Sequence, residues 1–339
     1  MLGFKFKITI LIVLFLLLIF SVLLSLRLGI LEISFVDIIK ILLNNIGIGD
    51  FMQEAQESRI ILNEIRIPRI LGAIVVGGCL ALSGLIFQGV FTNPLVSPGI
   101  LGVLQGASFG AALGLLMRLN YIGVSIQALF FGILATCFAI FISFVIARNS
   151  GILMLILGGI ISSSIFGSGV GIIKYLADSE EVLPNIVFWL LGSLSHIDKN
   201  GLFFAFVVFI FGIVISFILS KRLDILSLGE EEAKALGVNV KISRIIFILI
   251  ATLLAAVSVS LAGIIGWIGL VVPHIARFIM GVKNIYLVPF CALFGANLLL
   301  LVDNINRHFF KVEVPLGILM SFVGVPIFIA VLLGARKNL

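Results

Sequence analysis

Between Arg69 and Arg118 the chain runs from Ile70 to Met117, 48 residues, without one formally charged side chain. An α-helix needs only about 20 residues to cross a bilayer. One straight span cannot use this run. Asn93, Pro94, Pro98 and Gly99 interrupt it near the middle. The pattern predicts a helix over Ile67–Phe91, a non-helical elbow at Asn93–Gly99, and a returning helix over Ile100–Leu116. Gly72, Gly77, Gly78, Ala81, Ser83 and Gly84 crowd the first helix. Small residues let helix backbones approach closely, so this helix belongs in the middle of a bundle and not on its lipid-facing rim. Spacing alone leaves two readings of the elbow open, a tight connection or a functional element.

The rest of the chain has the same character. Of its 339 residues 61% are hydrophobic and 11% charged, and the mean hydropathy is +1.33. This excludes a soluble globular domain. It predicts an all-α polytopic membrane protein, with residues 1–339 forming a single transmembrane domain with short connections. Cys79, Cys137 and Cys291 lie far apart in apolar stretches, which suggests neither a disulfide framework nor a metal site. The pI of about 9.4 reflects Lys and Arg flanking spans and does not imply nucleic acid. Lys5 and Lys7 precede 19 uncharged residues, Ile8–Leu26. That core is too long for a signal peptide's and is followed by no small-residue cleavage site, so it reads as a first span entering from the cytoplasm.

From there the chain alternates. A polar segment reaches Ile65, with a mildly amphipathic stretch at Phe35–Leu43. Spans follow at 67–91, 100–116, 119–147, 152–175 and 201–220, with interfacial residues at 182–197. The 32 uncharged residues Ile245–Ala276 are again too many for one span and divide at Gly263 and Gly266. A ninth span ends near Val302, with Asp303, Arg307 and Glu313 in an external loop, and a tenth covers Pro315–Leu333. Both termini fall in the cytoplasm. Leu82-Ser-Gly84 and Leu261-Ala-Gly263 are each followed ten residues later by a proline, Pro94 and Pro273, a faint echo of an inverted repeat.

Chemistry is sparse. Every Asp and Glu is expected in a loop or at a span end, whereas ion-coupled carriers usually bury one. His274 has two readings, a pathway or coupling residue and, the favoured one, a ring bonded to a carbonyl freed beside Pro273. No catalytic constellation, cofactor signature or phosphate-binding G-x-x-x-x-G-K-[ST] loop is present, so the chain is neither an enzyme nor itself an ATPase. The main polar interruption, Lys221–Arg244, contains Glu230, Glu231 and Glu232 in the first turn of a short helix. That placement suits the helix dipole, and Gly237 is a natural stop. Such a helix is too short to persist alone and must pack on the membrane domain or a partner.

Seven motifs then resemble one family in order: R-I-P-R (66–69), S-G-L-I-F-Q (83–88), N-P-L-V-S-P-G-I-L-G (93–102), W-L-L-G-S-L (189–194), L-G-E-E-E-A-K-A-L-G-V (228–238), G-W-I-G-L-V-V-P-H-I-A-R (266–277) and P-L-G-I-L-M-S-F-V-G-V-P-I-F (315–328). The chain is similar to the ABC-importer permeases of the FecCD type, which serve ferric siderophores, haem and cobalamin and in some members molybdate. The resemblance implies a type II importer fold of about ten transmembrane helices, multi-pass in the cell (inner) membrane. It also implies a homodimer with the path at its interface, two cytoplasmic ATPase subunits and an external binding protein. Arg66, Arg69 and Arg307 match binding-protein docking positions. Asn93, Leu95, Ser150 and Gly151 match the cytoplasmic gate. Leu228, Gly229, Glu230, Glu231, Glu232, Ala233, Leu236 and Gly237 match the ATPase coupling helix. The small-residue helix is expected to line the path. A self-sufficient secondary carrier is the competing class.

Overall fold

The long uncharged run folds as a helix, an irregular stretch and a second helix, and the chain is arranged around the first of these. The computed structural model describes residues 3–29, 31, 33–45, 47–48, 56–146, 151–310 and 312–336. In order the elements are α1 (Phe4–Arg27), α2 (Phe35–Asn45), α3 (Gln56–Ile60), a π-helical turn (Ile61–Arg66), α4 (Ile67–Val90), α5 (Val103–Leu116), α6 (Tyr121–Ile146), α7 (Ile152–Leu176), α8 (Val182–Leu191), α9 (Lys199–Ile218), α10 (Ser220–Leu226), α11 (Glu230–Ala235), α12 (Val240–Ala262), α13 (Ile268–Met280), α14 (Asn284–Phe309) and α15 (Leu316–Arg336).

Among the described residues, 8 helices are long and apolar enough to cross a membrane. They are α1, the continuous Gln56–Val90 unit ending in α4, α6, α7, α9, α12, α14 and α15. α5 and α13 are apolar but have only 14 and 13 residues, roughly 20 Å of helix at 1.5 Å per residue. They stand where the two long uncharged runs were expected to divide. The ten expected spans are thus eight full helices and two partial ones, each partial one preceded by irregular backbone (91–102 and 263–267).

Irregular backbone at membrane depth needs cover from protein, and glycines on neighbouring elements supply it. A Cβ on Gly159 of α7 would lie 2.1 Å from the Ile100 carbonyl oxygen, and one on Gly192 would lie 2.6 Å from that of Ile264. Leu101 and Ile265, within the two stretches, are buried.

α4 sits at the centre, packed by α9, α12, α13 and α14. Only Ile67, Leu71 and Ile74 escape burial. Its glycines explain this. A Cβ on Gly77 would meet the Gly295 carbonyl oxygen of α14 at 2.3 Å, and one on Gly84 would meet that of Gly269 in α13 at 1.8 Å. The central position matches the expectation from small residues. The path-lining role does not, because neighbours within the same chain already occupy the faces of α4.

The π-helical turn before α4 has a local cause. Pro68 has no N–H for the Glu64 carbonyl and its ring crowds that oxygen. The ladder widens, and the Ile67 N–H donates to Leu62 O, five residues back.

Two further expectations are corrected. α14 does not stop at Val302; it continues to Phe309 and carries Asp303 and Arg307 inside the helix. Asp303 is fully buried, so a carboxylate does lie within the bundle, held there by Arg69, distant in sequence, and by Arg307 one turn along the same helix. The echo of Pro94 and Pro273 is not a structural repeat either. Pro94 lies in the elbow and Pro273 inside α13, while Gly84 is mid-helix and Gly263 terminates α12 with φ +66°.

The connections segregate to two ends. At one, Lys7 stands over the Tyr286 ring at 4.6 Å and Asp224 accepts from the Asn284 N–H and Nδ2, both at 2.7 Å. At the other, Lys199 pairs with Glu64 at 2.6 Å, Arg118 with Glu181 at 3.2 Å, and the Tyr121 hydroxyl donates to Leu261 O at 2.9 Å. The helices therefore alternate in direction as the charge pattern requires.

Candidate functional site

Three arginines converge at the second end. Arg69 follows Pro68 on the first turn of α4 and meets Asp303 on α14, across 234 positions of sequence. Its Nε donates to Asp303 Oδ1 at 2.9 Å and Nη2 to the same oxygen at 2.8 Å, while Nη1 donates to Glu313 Oε1. Arg307, one turn beyond Asp303, pairs with its Oδ2 at 3.0 Å and donates to Asn304 Oδ1 at 2.6 Å and to Ser25 Oγ. Arg66 caps the end of α1, donating to Leu26 O at 2.6 Å, Arg27 O at 3.0 Å and Leu31 O. The planar fork of each guanidinium suits this multiple bonding. The three residues expected to face a delivery protein are thus brought together, and all three are bonded internally. They border a cavity of about 320 Å³ that is shared with Ile65, Phe310 and Glu313.

At the first end the elbow is built by α4's own termination. The Asn93 N–H donates to Gln88 O at 3.2 Å, which places Thr92 in the left-handed region at φ +48°. Glycine usually takes that position. Asn93 Oδ1 accepts from the Leu95 N–H at 2.9 Å, and Leu95 projects outward while Val96 is buried. Gln88, itself buried, joins the elbow to α13. Its Nε2 donates to Val96 O at 3.2 Å and to Gly269 O and Leu270 O at 3.4 Å, and its Oε1 accepts from Arg277 Nη1 at 2.6 Å. Gly269 O is the carbonyl that Pro273 leaves without a helical donor. His274 bonds one residue along, with Nδ1 2.9 Å from Leu270 O.

Gly151 lies at the start of α7 and borders a cavity of about 550 Å³ with Glu230, Lys234, Asn239, Lys241 and Arg244. It adjoins the coupling segment. Ser150 lies outside the described residues.

The coupling segment forms α10 and α11. Gly229, at φ +122°, opens α11, and Gly237, at φ +78°, closes it. The Val238 N–H donates to Ala233 O at 3.0 Å across that closure. The three glutamates separate in role. Glu230 is committed internally, to Lys234 at 3.0 Å and Arg244 at 3.0 Å. These partners hold its carboxyl below the ordinary range, with the Lys234 hydrogen bond first and the Arg244 hydrogen bond second. Glu231 is 87% exposed, and the Glu232 carboxylate folds back toward Gly229. Ala233 is buried beneath, while Leu228 and Leu236 stand out at 61% and 59% exposure. Two exposed leucines flank a charged turn outside the spans, as on a docking surface.

One feature escaped sequence reasoning. The outward surface of α7 carries Ser164, Ser168 and Gly171 among exposed Ile160, Ile165 and Ile172, and a Cβ on Gly167 or Gly171 would meet open space. The outward face of α9 is instead Phe203, Phe206, Val207 and Phe211. The signal in the sequence was S-S-S-I-F-G-S-G-V-G, 162–171, whose helical phase puts Ser164, Ser168 and Gly171 together.

Comparison with known proteins agrees with this architecture. Residues 17–334 match the model of the FecCD transport family. The molybdate import system permease protein MolB of Haemophilus influenzae is 41% identical over 268 residues, 79% of each chain. The hemin transport system permease protein HmuU of Yersinia pestis is 36% identical, over 81% of this chain and 83% of that one. A solved structure described as an inward-facing conformation of a putative metal-chelate type ABC transporter superposes with a TM-score of 0.83 at 37% identity, covering 96% of this chain and 99% of that one. With eight helices among the described residues long and apolar enough to cross a membrane, this chain is a multi-pass membrane permease, and it belongs to the FecCD transport family.

Proposed function

We propose that two copies of this chain enclose the translocation path of an ATP-driven importer, with α7 as one wall. The observation that carries this is the patch of exposed Ser164, Ser168 and Gly171 within the otherwise apolar outer surface of α7. Lipid tails give serine no partner and gain little from glycine, whereas a water-filled path accommodates both. Two ATPase subunits would dock at α11 from the cytoplasm, against Leu228, Glu231 and Leu236. A binding protein would deliver cargo at the opposite end, over Arg66, Arg69 and Arg307. The elbow at Asn93 and Leu95, with Gly151, would lie at the inner gate, and both termini in the cytoplasm. A single domain over residues 1–339 with a coupling segment at 221–244 is consistent with this arrangement.

For the cargo, a compact oxyanion such as molybdate is supported by the 41% identity to the Haemophilus permease. The exposed Ser168 hydroxyl of α7 is a donor suited to a weakly held anion, whereas Ser164 already donates to Ile160 O at 2.9 Å. A second reading, a ferric chelate, haem or cobalamin, is supported by the 36% identity to the hemin permease and by the absence of charge on α7 from Ile152 to Ile173. Uptake into proteoliposomes holding permease, ATPase and binding protein, tested with molybdate, ferric chelates, haem and cobalamin, decides between them. ATP-independent uptake by the permease alone would remove the importer reading altogether.

A further inference from the structure

Arg69 holds two carboxylates that are not equivalent. Asp303 is wholly buried and takes Nε and Nη2. Glu313 lies between α14 and α15, is 40% exposed, and takes only Nη1. It sits at the mouth of the 320 Å³ cavity that Arg66 and Arg307 also border. Three guanidiniums therefore face two carboxylates there, a net single positive charge that suits an acidic partner. The inner edge of Arg69 is fixed, and the outer edge is exchangeable.

We infer that Glu313 is an internal stand-in for an acidic side chain of the delivery protein. Before docking it satisfies Arg69 Nη1; on docking the incoming carboxylate replaces it. This rests on the docking reading given above. Exchange keeps Nη1 paired while Asp303 holds Nε and Nη2, since a buried donor left unsatisfied is costly. The swing of Glu313 has a fixed limit one residue on. Asn306 Nδ2 donates to Val314 O at 2.8 Å, the Val314 N–H donates to Asn306 Oδ1 at 3.1 Å, and the Leu316 N–H donates to Gly192 O at 2.9 Å. Glu313 is displaced about this clasp, and α15 stays seated.

The test is the affinity of the importer's own binding protein for the full permease–ATPase complex in nanodiscs, across a salt series. In the wild type one carboxylate replaces another, so the count of ion pairs at Arg69 is unchanged and salt has little effect through this site. Glu313→Gln removes the competitor. It should tighten binding roughly two- to tenfold, the range of a part-exposed ion pair, and steepen its salt dependence, since a net ion pair now forms. Unchanged or weaker binding by Glu313→Gln overturns the proposal. Ile65→Glu separates this from failure of the docking reading, because Ile65 is an exposed residue at the same cavity. If Ile65→Glu weakens binding and Glu313→Gln has no effect, only the stand-in role is lost. If neither changes affinity, the docking surface lies elsewhere.

Discussion

Asp303→Asn is the sharpest test of what holds the arginine end together. The change keeps the volume and removes one charge. In the native chain the Asp303 carboxylate, fully buried, meets Arg69 at 2.8 Å and Arg307 at 3.0 Å. An asparagine amide offers one acceptor oxygen where two are used, and turns an NH2 group toward a guanidinium. Two arginines then share one neutral acceptor, and only Glu313 still carries charge for Arg69. Breaking a buried pair by removing one partner costs about 3–5 kcal/mol. For a chain of this size that corresponds to a fall in thermal midpoint of about 4–7 °C. The assay is size-exclusion recovery of detergent-solubilised protein after heating, read against temperature. The triple change Asp303→Leu, Arg69→Met, Arg307→Leu removes the three charges of the buried cluster together, leaving the part-exposed Glu313 to solvent, and should recover much of the loss, since well-packed apolar replacements of buried ion groups are often neutral. A midpoint for Asp303→Asn equal to that of the wild type would refute the argument that these arginines depend on a buried anion.

Three further outcomes are expected. Thr92→Gly should stabilise the chain by about 1 kcal/mol, because a β-branched residue in the left-handed region is strained and glycine is not; the same thermal assay reads it. Leu228→Asp with Leu236→Asp should lower recovery of the ATPase subunit in pull-down while leaving the permease's own midpoint unchanged, since both side chains are exposed in the free chain. The Glu230 carboxyl lies below its ordinary value of 4.5, so its stabilisation is present above that value and lost as pH falls through the depressed one. The midpoint difference between wild type and Glu230→Gln should therefore stay constant from about pH 8 down to about pH 5.5 and shrink only below 4.5.

Much of this architecture was legible because membrane helices announce themselves locally. Ile70–Met117 had to break, and Asn93 to Gly99 said where. Gly263 and Gly266 did the same for the second long run. Clustered glycines on α4 correctly implied a central helix, because close backbone approach has few other uses. Long-range pairing was not legible. Nothing near Asp303 in sequence reveals that Arg69 waits across the bundle, so a buried carboxylate looked like a loop residue. The different surroundings of α4 and α7 were also not legible, for a related reason. Small residues on α4 and on α7 look alike as a string. Only the neighbours show that the first set is consumed by packing, and that on α7 Gly158, Gly159 and Ser162 are packed while Ser164, Ser168 and Gly171 are left exposed.

The Gln88 amide has a consequence for how a gate could work. Its two faces are chemically opposite, and each is fully specified. Arg277 needs the oxygen, and the carbonyls of Val96, Gly269 and Leu270 need the nitrogen. The amide cannot flip without setting donor against donor on one side and acceptor against acceptor on the other. The elbow and α13 are therefore keyed together in one orientation, like two gears on a single shaft. α14, which follows α13 in the chain, is tied in turn to α10 through Asp224 and Asn284. A chain of fixed hydrogen bonds thus links the elbow through α13 and α14 to α10, the element that precedes α11. A gate of this kind would open by translation of a whole corner of the subunit.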